Sequence, residues 1–144
     1  MERKTKINAE EGKPDLVITR EFDLPVDLLF KAYEIPEIVE QWMTTKVIQL
    51  ENKKYGAWRF ETSRDGQVVF ASHGIILDFV PGQKITRTFE MENGPFPVQL
   101  EFLEFEKLGE HTSKLTVQIV FKSVEFRDQL LKMPFAFGLS MAHD

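Results

Sequence analysis

The chain enters its first regular pattern at residues 15–22, where apolar and polar positions alternate and Leu16 and Ile18 share one parity. This two-residue period predicts a β-strand. After Pro25, and again after Pro36, the apolar positions change to the 3.6-residue spacing of an amphipathic helix. Proline suits the first turn of a helix because its φ is already helical and its missing N–H has no partner there. Two short helices are therefore predicted after the first strand.

Alternation returns after residue 45 and is interrupted by turn dipeptides at 65–66, 81–82, 93–94 and 108–109. The candidate strands between these turns are residues 46–51, 55–63, 68–79, 84–92, 97–107 and 111–122. Connections this short require antiparallel neighbours, because a parallel pair needs a long crossover. Helical spacing resumes at Val124, and a last helix is predicted over residues 134–144.

The predicted fold class is α+β, with a curved antiparallel sheet of six or seven strands and a C-terminal helix across its concave face. A hollow between the sheet and that helix follows from this geometry. Residues 1–14 are polar and aperiodic, which predicts a flexible arm, and residues 15–144 then form a single domain.

Composition narrows the function classes. The chain has no cysteine, which excludes disulfides, thiol nucleophiles and cysteine-bound metals. A net charge of −5 without a basic block argues against nucleic acid as a partner. No apolar run reaches the length of a bilayer span and no signal peptide is recognisable, so we expect a cytoplasmic protein with no membrane association. The 13 phenylalanines predict an interior rich in rings that carry no hydrogen-bonding group.

Three segments carry a family resemblance: ITREFDLPVDLLFKAYEIPEIVEQWM at residues 18–43, GIILDFVPGQKITRTF at residues 74–89 and FRDQLLKMPFAFGLSMAHD at residues 126–144. In order and spacing they resemble the SRPBCC or START-like superfamily, and within it the branch named after the activator of the heat-shock protein 90 ATPase. The resemblance covers about residues 15–144 and implies a helix-grip fold around a largely apolar cavity. In that family the last helix runs further than Asp144. An opening beside residues 139–144, or a homodimer that covers it, is therefore expected.

The resemblance implies binding of a small hydrophobic or amphipathic ligand, with no cofactor and no demonstrable catalysis. Two alternatives stay open. One is an aromatase/cyclase-like enzyme, against which the absence of a convergent polar pair counts. The other is a co-chaperone that stimulates a heat-shock protein 90 type ATPase.

Few titratable residues stand out. His73, His111 and His143 are too far apart for a helical metal motif, so no metal site is expected. The pattern around Glu101, Glu104 and Glu106 favours a solvated strand face, and Asp78 is expected at the surface before a turn.

Arg20 and Arg87 each share a parity with apolar neighbours. A buried guanidinium must be paired, so a salt bridge to a glutamate is expected for both. Arg87 is the better candidate for a ligand contact because it lies in the middle of the sheet.

The candidate ligand-binding residues are those that the assigned alternation directs into the hollow. They are Trp42, Trp58, Phe60, Ile76, Arg87, Phe89, Leu100, Phe102, Val117, Phe121, Phe135 and Leu139. No catalytic residue is assigned.

Overall fold

A computed structural model describes residues 5–92 and 97–131 of the chain. Within these ranges the strands are β1 (Thr5–Asn8), β2 (Asp15–Phe22), β3 (Lys46–Leu50), β4 (Ala57–Arg64), β5 (Gln67–Val80), β6 (Lys84–Met91), β7 (Gln99–Gly109) and β8 (Thr112–Val120). They form one antiparallel sheet in the order β1-β2-β8-β7-β6-β5-β4-β3. The α+β class and the curved antiparallel sheet predicted from the sequence are confirmed.

The helices are α1 (Val26–Glu34), α2 (Pro36–Met43) and α3 (Val124–Leu131). Pro25 precedes the first turn of α1 and Pro36 begins α2, as predicted. The turn predicted at 93–94 and the helix predicted over 134–144 lie outside the described residues.

Helices α1 and α2 cover one face of the sheet, which we call the inner face. The Phe30 ring of α1 stands edge-on to Phe105 of β7, with 4.9 Å between ring centroids, and lies 5.6 Å from Phe79 of β5. Phe79 points inward because a β-bulge between Ile76 and Asp78 shifts the alternation of β5 by one residue. This aromatic contact packs α1 against the sheet.

A second apolar cluster lies at the β2 side of the sheet. It contains Leu16, Ile18, Ile119 and Phe121, and Phe126 of α3 packs against it. The core is thus divided, with α1 and α2 over one part and α3 over the other.

The N-terminal segment, for which the sequence predicted a flexible arm, contributes residues to the sheet. Thr5–Asn8 pairs with β2 as an eighth strand. Further along, Arg127 of α3 is buried and donates hydrogen bonds to the backbone oxygens of Glu10, at 2.5 Å, and Asp15, at 3.1 Å. A guanidinium from the other end of the chain therefore holds this segment, which local sequence patterns do not reveal.

Candidate functional site

A pocket of about 260 Å³ lies between α2, the end of α1 and the inner face of the sheet. Its walls are mostly aromatic and aliphatic, with a few polar groups among them. The lining residues are Tyr33, Trp42, Met43, Thr45, Trp58, Phe60, Thr62, Phe70, Ser72, Arg87, Phe89, Gln99, Glu101, Leu103, Val117 and Ile119.

Trp58 forms the centre of the aromatic wall. Its ring centroid lies 4.9 Å from that of Phe60 and 5.7 Å from that of Phe89. Its indole N–H donates to the Thr88 backbone oxygen at 3.1 Å. The indole can cross β5 at this point because Gly74, its neighbour on that strand, has no side chain: a Cβ there would lie 2.6 Å from Trp58 Nε1.

A buried ion pair forms the polar part of the pocket. Arg87 of β6 and Glu101 of β7 face each other in register, and Arg87 Nε donates to Glu101 Oε1 at 3.0 Å. Their side chains are 12% and 10% exposed. Gln99 donates to the second carboxylate oxygen at 3.2 Å. The Arg87 guanidinium also lies over the Trp58 ring, 5.0 Å from its centroid, a cation–π contact that orients it.

Tyr33 and Trp42 join the two helices at the opposite wall. Their ring centroids are 5.0 Å apart, and the Trp42 indole N–H donates to the Ala32 backbone oxygen at 2.5 Å. Burial raises the pKa of the Tyr33 hydroxyl well above its ordinary value, while Arg87 opposes this shift and Glu101 adds to it. Tyr33 therefore stays neutral, and its hydroxyl interacts electrostatically with both charges of the ion pair.

Six of the residues selected from the sequence meet in this pocket: Trp42, Trp58, Phe60, Arg87, Phe89 and Val117. Arg87 is paired with a glutamate, as predicted, and it also lines the pocket. Phe135 and Leu139 lie outside the described residues.

The other four residues selected from the sequence do not border the pocket. Ile76 is packed in the main core and Phe121 in the second cluster. Leu100 and Phe102 lie on the outer face of β7, so the parity assigned to this strand was wrong. Leu100 and Phe102 look like inward residues because they are apolar, but the buried series of β7 has the opposite parity.

Sequence reasoning missed the polar residues of that inward series. Gln99 and Glu101 share a parity with the buried Leu103 and Phe105, whereas Glu104 and other residues of the opposite parity become exposed. The continuation of the odd parity into Leu103 and Phe105 was the available signal. A convergent polar pair, which the sequence analysis expected to be absent, is therefore present as Arg87 and Glu101.

The remaining titratable candidates lie away from the pocket. His73 is on the outer face, with Nδ1 2.9 Å from Glu92 Oε2 and Nε2 3.4 Å from Glu90 Oε1. Asp78 forms a surface ion pair with Lys84 at 3.3 Å, as its predicted surface position requires.

Two further predictions concern Arg20 and the histidines. Arg20 is buried and donates to Thr5 Oγ1 at 2.7 Å, so it serves the β1–β2 edge. His111 is exposed in the β7–β8 turn, and His143 lies outside the described residues. Over residues 5–92 and 97–131, no cluster of three His, Asp or Glu side chains could hold a metal ion.

Residues 23–144 match the family model described as Activator of Hsp90 ATPase homolog 1-like protein. The chain belongs to this family. The match begins just after β2 and includes α1, α2 and every strand that lines the pocket. The resemblance noted from the sequence segments is thereby confirmed.

Solved structures share the family fold at low sequence identity. Protein Ms6760 from Mycobacterium smegmatis superposes with a TM-score of 0.84 at 21% identity, covering 96% of this chain and 91% of that one. A Rhodobacter sphaeroides protein gives 0.82 at 19% identity, covering 96% and 93%. CalU16 from Micromonospora echinospora gives 0.67 at 15% identity, covering 98% and 83%. These likenesses extend to the fold alone.

No curated protein matches the sequence. In the described part of the chain, none of the helices has the length and apolar character needed to cross a bilayer.

Proposed function

We propose that this protein binds a small, predominantly apolar molecule in the pocket between α2 and the inner face of the sheet. The observation that carries the proposal is the composition of the pocket walls: aromatic rings surround one buried ion pair. Ligand sites for small molecules have this character, with apolar walls and a few polar groups that fix orientation.

The volume limits the size of the ligand. About 260 Å³ lies below the range of roughly 300–1,000 Å³ that is typical for sites of drug-sized ligands. A compact molecule, such as one carrying a single ring or a short acyl chain, suits the pocket better than a long lipid.

The protein carries its own reporters of occupancy. Its two tryptophans, Trp42 and Trp58, both line the pocket. Their two indole N–H resonances in a nitrogen–proton correlation spectrum should therefore shift when a probe binds. Acetophenone and isopropylbenzene are suitable probes because they are compact, aromatic and equal in number of non-hydrogen atoms. Saturable shifts of both indole signals are the expected result.

A matched pair of variants on β8 locates the binding site. Val117 lines the pocket, whereas Val120 lies on the outer face of the same strand. Val117→Phe should fill part of the pocket and weaken probe binding at least tenfold, while Val120→Phe should leave it unchanged. Indole shifts that do not saturate with either probe, or equal effects of the two variants, would contradict the proposed site.

A further inference from the structure

The Arg87 guanidinium is only partly used by the protein. Its Nε donates to Glu101 and its planar face lies on Trp58. Its terminal amino groups make no hydrogen bond to any residue in the described ranges 5–92 and 97–131. Each of these groups carries two N–H donors that can bind an acceptor in the pocket.

The charge of this guanidinium is nevertheless balanced. Glu101 lies in direct contact with Arg87, and the two side chains are almost equally buried. A ligand carboxylate placed on the terminal amino groups would be attracted by Arg87 and also repelled by Glu101, which lies further away on the Nε side of the same guanidinium. The repulsion offsets part of the attraction, and the remainder does not recover the cost of removing the carboxylate from water.

We infer that the pocket selects an aromatic ligand that bears a neutral hydrogen-bond acceptor, such as a ketone or another carbonyl group, and that Arg87 binds this acceptor through its terminal N–H groups. Glu101 is then a specificity residue, because it removes the net positive charge that would otherwise favour an anion. This inference rests on the proposed function, whose pocket it assumes.

The hydrogen bonds of the ion pair favour a ligand-binding role for Arg87 over a purely structural one. Gln99 and Arg87 already supply one donor to each oxygen of Glu101. Glu101 is thereby held in place, while the outer edge of Arg87 stays available toward the pocket. A polar carbonyl at that edge and a ring against Phe60 and Phe89 would satisfy both parts of the wall.

Three probes of equal heavy-atom number separate the alternatives: acetophenone with a neutral acceptor, isopropylbenzene with none and benzoate with a charged one. Titrations followed by the indole signals give each Kd. In the wild type, acetophenone should bind about tenfold more tightly than isopropylbenzene, since a hydrogen bond to a charged donor contributes about that factor. Benzoate should bind more weakly than acetophenone.

Two variants test the roles of the pair. Glu101→Gln keeps an acceptor for Arg87 but removes the negative charge, so benzoate should gain at least about tenfold while isopropylbenzene changes by less than about twofold. The double variant Arg87→Met, Glu101→Leu removes both charges with little change in volume, so it avoids a lone buried carboxylate. It should bind acetophenone and isopropylbenzene equally.

The outcomes distinguish this inference from the proposed function. If isopropylbenzene binds and acetophenone is no tighter, or if wild-type protein prefers benzoate, the neutral-acceptor assignment is wrong while the pocket remains a binding site. An unchanged benzoate affinity in Glu101→Gln would likewise overturn the role of Glu101. If none of the three probes binds, both proposals fail.

Discussion

Gly74→Ala should disrupt the aromatic wall of the pocket from a position outside the pocket lining. A Cβ at this position would lie 1.9 Å from the Thr88 backbone oxygen and 2.6 Å from Trp58 Nε1, both far inside contact distance. The strands or the indole must therefore move, and the 3.1 Å hydrogen bond between Trp58 and Thr88 is lost. Because Arg87 lies on the same indole ring, the polar part of the pocket moves with it.

The expected loss of stability has two parts. Overpacking of a close contact costs about 1–3 kcal/mol, and a buried indole donor left without a partner costs about 1–3 kcal/mol more. Their sum is a decrease of about 2–6 kcal/mol in the free energy of unfolding, measured by urea denaturation followed by circular dichroism. The indole signal of Trp58 should also shift.

Gly66→Ala is the matched control. Gly66 lies in the β4–β5 turn with φ of +80°, and no atom lies within 4 Å of a Cβ placed there. The control should therefore lose only about 1 kcal/mol, from the left-handed backbone, and keep both indole signals in place. In a Trp58→Phe background Gly74→Ala should cost about 1 kcal/mol less, because the contact with the indole nitrogen is gone. A Gly74→Ala protein as stable as the Gly66→Ala control would refute this reasoning.

Three further outcomes follow from burial and pairing. Leu103→Ala should cost about 2–5 kcal/mol and Phe102→Ala clearly less, because Leu103 faces inward and Phe102 outward on β7; equal losses in urea denaturation would contradict that parity. Arg59, with a smaller contribution from His73, lowers the pKa of Glu92 from 4.5 to about 2. Because this pKa is depressed in the folded protein, the stabilisation is present above about pH 4.5 and lost as the pH falls toward 2, so the stability difference between wild type and Glu92→Gln should shrink over that range. Arg127→Met should lower stability by about 2–3 kcal/mol, through loss of its hydrogen bonds to the N-terminal backbone, with denaturation midpoints as the measurement.

The order of the elements from β2 to α3 was predictable from sequence because the pattern of each of them is local. Pro25 and Pro36 mark the starts of α1 and α2, and glycine-containing turns separate the strands. The candidate strand at 84–92 differs from β6 by a single residue. Periodicity and turn chemistry act over a few residues, so they can be recognised without knowledge of the tertiary structure.

Part of the candidate site was predictable for the same reason. Trp58 and Phe60 alternate with charged residues on β4, which leaves one choice of inward face. On β7 the choice was ambiguous, because Leu100 and Phe102 on one parity compete with Leu103 and Phe105 on the other. The more apolar start of the strand suggested the wrong face, and a one-residue error in parity reverses every side chain.

Only the tertiary structure determines which side chains are paired across neighbouring strands of the sheet. The Arg87–Glu101 contact depends on the register of β6 against β7, and Arg127 holds backbone more than a hundred residues away in sequence. A charged side chain is buried only where a distant part of the chain supplies its partner. The residues next to Arg87 or Arg127 in sequence therefore do not show that either is buried. The sequence by itself determined the elements from β2 to α3, their order and the aromatic character of the interior. Long-range register placed a charged pair at the pocket, because that register exists only once the whole sheet has formed.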